Sequence, residues 1–152
     1  MYITVTEADE YIATRLYSDS WPDDSSAGEA EKELYLEAAT HMLNNYVQWH
    51  GVKTSSDQEN EWPRMYVRDR QGFLIDSDTI PQCLKYATVE LALALMDHDL
   101  LQVTPNNISQ IDLLSLSVNL SKSSTVIPDR VWILISHLGA RIGDRATIKV
   151  TR

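Results

Sequence analysis

Between Glu29 and Val47 apolar residues return at every third or fourth position: Tyr35, Ala38, Ala39, Met42, Leu43, Tyr46 and Val47. That spacing predicts an amphipathic helix, with Glu33, Glu37 and Thr40 on its other side and acids in its first turn, where the helix dipole favours them. A shorter helix is expected ahead of it. Thr6 would cap it, Ala8, Tyr11, Ile12 and Leu16 would share one face, and the turn-rich stretch from Ser20 to Gly28 would close it. A third helix follows Pro81, with Leu84, Ala87, Thr88, Leu91, Ala92, Leu95 and Met96. Its middle is apolar almost all round, which marks it as the most buried of the set. Pro128 and Asp129 open a fourth, carrying Val131, Leu134, Ile135 and Leu138 and stopping at Gly139.

Elsewhere the period changes. Leu114, Leu116, Val118 and Leu120 alternate with Ser115, Ser117, Asn119 and Ser121, the two-residue repeat of a strand. Lys122 to Ser124 reads as a turn and Thr125 to Ile127 as the returning strand, a hairpin over 111–127. The segment Arg145 to Arg152 alternates again. From about Trp49 to Thr79 there is no strong period at all. A connection of that length in a compact domain is usually a functional loop or a linker. This one carries Trp49, Trp62, Met65, Tyr66, Phe73, Leu74 and Ile75, so it is expected to pack against something. The fold class that follows is mainly α: a bundle of about four helices, a long structured loop (49–79) and a β-hairpin inserted before the last helix. Residues 1–140 form the helical domain and 141–152 an extended tail.

Composition narrows the function. The chain has 152 residues, 43% hydrophobic and 23% charged, which suits one globular domain. One cysteine, Cys83, rules out an internal disulfide and a cysteine zinc site. No apolar run is long enough for a membrane span, and the start of the chain lacks the pattern of a signal peptide. Thirteen Lys and Arg face 22 Asp and Glu, for a net charge of −9. That balance argues against a broad electrostatic grip on nucleic acid, although Arg64, Arg68 and Arg70 lie close together.

Candidate chemistry is sparse. His41, His50, His98 and His137 are scattered, without the helical spacing of a metal pair. Cys83 stands in a first helical turn, which can activate a thiol, but no partner histidine is identifiable from spacing. Asp97, His98 and Asp99 point in different directions on a helix. There is no phosphate-binding glycine loop and no nucleophile elbow. The sequence therefore predicts no enzyme, no cofactor and no metal. Trp21, Trp49, Trp62 and Trp132 could stack on bases, yet packing is the commoner role for tryptophan.

One ordered set of motifs is more specific. Trp49-His50-Gly51 ends the second helix, Gln58 and Trp62-Pro63-Arg64 follow, then a turn at Gly72, Ile80-Pro81, and an Ala87…Glu90-Leu91-Ala92 helix. This order resembles the head–tail adaptor, or head-completion, proteins of tailed bacteriophages, whose relatives often carry the label of DnaT-like single-strand DNA-binding proteins. The resemblance covers roughly residues 2–140. It implies a non-catalytic connector subunit in the virion neck, made in the host bacterial cytoplasm. About twelve copies would form a ring on the portal protein and dock a stopper or tail-terminator protein. DNA would pass through the channel without specific binding, and no membrane is involved. On that reading Trp49, Gly51, Trp62, Pro63 and Arg64 anchor the long loop, and the polar stretch Thr54 to Glu61 is free to face the lumen or the next ring. Leu116, Val118, Leu120, Ile148, Val150 and Arg152 are candidate subunit or portal contacts, by strand addition at an edge. The alternative is a single-stranded-DNA-binding replication accessory, which predicts salt-sensitive binding and base stacking. An unrelated helical interaction protein is a third class.

Overall fold

The computed structural model describes residues 1–16, 19–97, 108–113, 116–121 and 126–142. Among the described residues four helices carry the fold, with three small two-stranded sheets, so the chain is mainly α. They are α1 (Val5–Ala13), α2 (Ser26–Tyr46), α3 (Gln82–Asp97) and α4 (Asp129–Ile135). The strands are β1 (Val47–Trp49), β2 (Val52–Lys53), β3 (Arg64–Met65), β4 (Ile108–Leu113), β5 (Leu116–Ser121) and β6 (Gly139–Arg141). Helix α3 lies between α2 and α4, and α1 touches both α2 and α3.

The core follows from the helical stripes. Leu36, Ala39 and Leu43 of α2 meet Leu84, Ala87 and Leu91 of α3, and Val131, Ile135 and Leu138 close the far side. Nine residues of α3 are buried, as its apolar middle requires. Two details depart from the sequence reading on α1. Its N-cap is Thr4, not Thr6: the Thr4 hydroxyl accepts from the Glu7 amide while the Glu7 carboxylate accepts from the Thr4 amide, a full capping box. Leu16 falls beyond the end of α1 and is 92% exposed. On α2, Thr40 is buried rather than outward. It donates to the Leu36 carbonyl (2.8 Å) and accepts from the Tyr2 amide (3.3 Å), which pins the start of the chain to the helix.

The strands differ more. β5 pairs back with β4; of the returning strand expected at 125–127, Thr125 lies outside the described residues. Strand pairing is decided by both partners, and Ile127 has a stronger use as a buried residue beside α4. Leu116, Val118 and Leu120 stand opposite Leu113, Ile111 and Ser109. Helix α4 ends at Ile135, four residues before the expected stop. Gly139 instead opens β6 and lies opposite Trp49 of β1. A Cβ there would come within 2.7 Å of the Gln48 carbonyl oxygen, so glycine allows the two backbones to approach. Ile148, Val150 and Arg152 lie outside the described residues.

Candidate nucleic-acid interface

The long connection after α2 contains two unlike halves. The first is a lock. Gly51 turns the chain with φ +71°, and a Cβ at that position would sit 2.1 Å from the Met65 carbonyl oxygen. The turn brings β2 against β3, pairing Val52 with Met65 and Lys53 with Arg64. Arg64 is only 8% exposed. Its Nε donates to the His50 carbonyl (2.8 Å), Nη2 to the Gly51 carbonyl (2.9 Å), and Nη1 to the Glu61 carbonyl and carboxylate (3.1 and 2.7 Å). A guanidinium used on every nitrogen has no spare face for a phosphate. Trp62, joined to Pro63 by a cis peptide bond, is buried edge-on against Trp49, with ring centroids 5.9 Å apart. Neither indole N–H has a protein partner, so packing alone holds the pair. Residues Thr54 to Glu61 fold back on themselves: Gln58 Nε2 donates to the carbonyls of Asn60 and Pro63, and Thr54 Oγ1 to that of Ser77. The stretch is bonded in place, with Thr54 to Asp57 and Glu59 exposed.

The second half projects. Asp69 donates its amide to the Phe73 carbonyl, Arg68 bridges Leu74, and Ile75 donates to Val67, making a short ribbon closed at Gly72 with φ +92°. The Asp69 carboxylate accepts from the amides of Gln71 and Phe73 and holds the turn. Val67 is buried at the base. Beyond it Tyr66 is 76% and Phe73 71% exposed, with Leu74 also exposed. These three were expected to pack, and they do not. Tyr66 also has φ +64°, a left-handed conformation that glycine or asparagine adopts more cheaply than tyrosine. Such strain in an outward-facing ring points to a use for the ring.

Two cations, Arg68 and Arg70, lie between those rings in sequence. Arg68 Nη1 donates to the Gly72 carbonyl at 2.6 Å. Arg70 reaches across to α4, where Nη2 donates to the Ile133 carbonyl and Nε to His137 Nδ1 (3.3 Å). Both are exposed, and both bond neutral acceptors, so their charge is not cancelled within those contacts. The structure also supplies the partner that spacing did not reveal for Cys83: His137 Nε2 lies 3.7 Å from its Sγ. Because the Arg70 N–H points at Nδ1, the imidazole proton sits on Nε2, facing the sulfur. In that tautomer His137 cannot accept the thiol proton. Burial raises the Cys83 pKa and, with Arg70 adding to it, lowers that of His137, so both stay neutral near pH 7.

None of the four tryptophans is exposed. Trp49 and Trp62 are buried, Trp21 is held by Asp9 (2.7 Å), and Trp132 lies half-buried under the Arg141 guanidinium, 4.9 Å from its carbon to the ring centre. The exposed aromatic residues are instead Tyr66 and Phe73, among the described residues. The signal for them was in the sequence, as aromatic and basic residues interleaved in RMYVRDRQGF, but apolar content in a loop was taken as packing. Among the described residues no three His, Cys, Asp or Glu side chains group as a metal site, and no helix is long and apolar enough to cross a membrane.

The chain was compared with known families, curated proteins and solved structures. The family model described as "Putative DnaT-like ssDNA binding protein" covers residues 1–152. No curated protein matches, and no solved structure matches. The match corrects the principal functional reading of the sequence. The ordered Trp-x-Gly, Trp-Pro-Arg and Ile-Pro motifs suggested a phage connector, but the family that covers the whole chain is described by single-stranded DNA. The motifs that carried the connector reading mostly build the loop lock just described, and a lock of this kind specifies a fold rather than a role. The chain belongs to the family of DnaT-like ssDNA binding proteins.

Proposed function

We propose that this protein binds single-stranded DNA and does no chemistry on it, acting as an accessory in replication. Tyr66 and Phe73 supply stacking surfaces, and Arg68 and Arg70 contact phosphates. The observation that carries this reading is the pair of exposed rings on a cation-bearing ribbon, one of them held on a backbone that disfavours tyrosine. Family membership supports it.

The charge of the chain sets the character of the binding. With a net charge of −9 there is little long-range attraction for a polyanion. Stacking on aromatic side chains contributes about 1–3 kcal/mol per base and tolerates any sequence. Two phosphate contacts give a slope of log K against log salt of only about −1.4. Binding should therefore be modest, indifferent to sequence and weakly salt-dependent.

The test is a titration of a labelled thymidine tetranucleotide, followed by anisotropy at several salt concentrations. Saturable binding with that shallow slope, lost in Tyr66→Gly/Phe73→Ala, is the expected result. No binding by the wild type, or full binding by the double variant, would overturn the proposal.

A further inference from the structure

Helices α3 and α4 run side by side, and the ribbon touches only one end of the seam between them. At that end Cys83 faces His137, and Arg70 bonds His137 and Ile133. Seven residues further along α3, Glu90 faces Arg130 in the first turn of α4. Seven residues of helix span about 10 Å, about three phosphates at duplex spacing and fewer in a stretched strand.

Among the described residues, the far end brings two cations to one acid. Glu90 Oε2 lies 3.1 Å from Arg15 Nη2 and 3.9 Å from Arg130 Nε, so two guanidinium groups converge on one carboxylate. The other carboxylate oxygen, Oε1, is already taken by the Tyr11 hydroxyl at 2.8 Å. Burial, then that bond to Glu90, pushes the Tyr11 pKa up to about 12, so the hydroxyl remains a donor. Asp129, next to Arg130 in sequence, is engaged by Arg141 at 2.7 Å. Glu90 is buried, whereas the Arg130 side chain is 47% exposed, so the surplus positive charge faces solvent. Glu61 is also shared by two cations, Lys53 and Arg64, but Arg64 is buried and offers no exposed pair. Between the two ends lie Ile133, exposed on α4, and Tyr86, stacked on Tyr11 with centroids 4.3 Å apart.

We infer that Arg15 and Arg130 form a second phosphate-binding subsite, and that a strand stacked on Tyr66 and Phe73 continues past Arg70 along the α3–α4 seam to reach them. This rests on the single-stranded-DNA reading above. It assigns the binding site two ends, so affinity depends on oligonucleotide length. A tetranucleotide satisfies the ribbon alone, and a longer strand engages both ends. The salt slope then rises from about −1.4 to about −2.8, at 0.7 per contact.

The experiment compares a thymidine tetranucleotide with a dodecanucleotide. The proteins are the wild type, Arg130→Gln, and the triple variant Arg15→Gln/Arg130→Gln/Glu90→Gln, which removes the two cations together with the carboxylate they neutralise. Melting curves verify that each variant is folded, and Arg130→Gln, at a half-exposed position, guards against a misfolded triple variant. The dodecanucleotide should lose affinity on the order of tenfold in the triple variant, with its salt slope reduced by about 1.4, while the tetranucleotide is unaffected. Arg130→Gln should give about half that change in slope. A dodecanucleotide bound equally by all three proteins overturns the seam subsite and leaves the ribbon proposal intact if Tyr66→Gly still weakens it. A wild type that binds neither oligonucleotide overturns both.

Discussion

Trp62 to Arg64 and Tyr66 to Phe73 are neighbours in sequence and opposites in structure. In the first, a large ring and a cation are buried, and the cation spends its hydrogen bonds on its own loop. In the second, the same kinds of residue are exposed, and the cations bond carbonyls and an imidazole but no acid in those contacts. Residue type alone does not separate them. What separates them is the turn at Gly51, which folds β2 onto β3 and lets Arg64 reach the carbonyls of His50 and Gly51. Past Met65 the backbone turns left-handed at Tyr66, whose ring is exposed. The lock gives the ribbon a rigid base, and the ribbon offers the flat rings that single-stranded DNA needs.

The sharpest way to break this contrast is to attack the lock. Trp62→Ala should cost about 3–5 kcal/mol of stability, because a fully buried indole leaves a large cavity beside Trp49. Denaturant unfolding measures it, and DNA affinity of the folded fraction should be unchanged. Arg64→Ala is expected next, at about 1.5–3 kcal/mol for the loss of its charged hydrogen bonds, because Glu61 is part-exposed and retains Lys53 at 3.0 Å. If either variant is as stable as the wild type, the lock is not what holds the loop.

The ribbon should answer in the other currency. Tyr66→Gly relieves a left-handed backbone worth about 1–2 kcal/mol and adds chain entropy of about 0.5–1 kcal/mol, so stability should barely move. Affinity should fall by about 1–3 kcal/mol, the value of one stacked base. Arg68→Gln/Arg70→Gln should cost less affinity at moderate salt but flatten the salt slope by about 1.4. The smallest effect concerns pH. His137 has its pKa lowered in the fold, by burial first and by Arg70 second. A depressed histidine contributes stability above its unfolded value, near 6.5, and that contribution is lost as pH falls through the lower folded value. His137→Gln should therefore show a smaller loss of stability between neutral pH and pH 5 than the wild type.

The helices were legible because their periods are strong: α2 and α3 lie within three residues of the positions the apolar stripes gave. The strands were less so. The alternation of Leu116, Val118 and Leu120 identified β5, but pairing is a non-local choice, and nothing in that pattern says whether the partner lies before or after it. Gly139 illustrates the same limit, since a glycine that ends a helix and one that admits a neighbouring strand read alike. In the site, Trp49, Gly51, Trp62, Pro63 and Arg64 were singled out together, and the structure brings them together. Tyr66 and Phe73 were not singled out, because exposure depends on where the loop is pinned. The Cys83–His137 and Glu90–Arg130 contacts span 54 and 40 residues, respectively, and no local spacing encodes them.

The central claim is that exposed rings on the ribbon, rather than the buried tryptophans or the net charge, bind the strand. Anisotropy of a labelled thymidine dodecanucleotide, titrated with the wild type and with Tyr66→Gly/Phe73→Ala at matched stability, tests it most directly. Saturable binding by the wild type and a loss of about 2–6 kcal/mol, two stacked bases, in the double variant are expected. Equal affinity for the two proteins, or a wild type that does not bind, would contradict it.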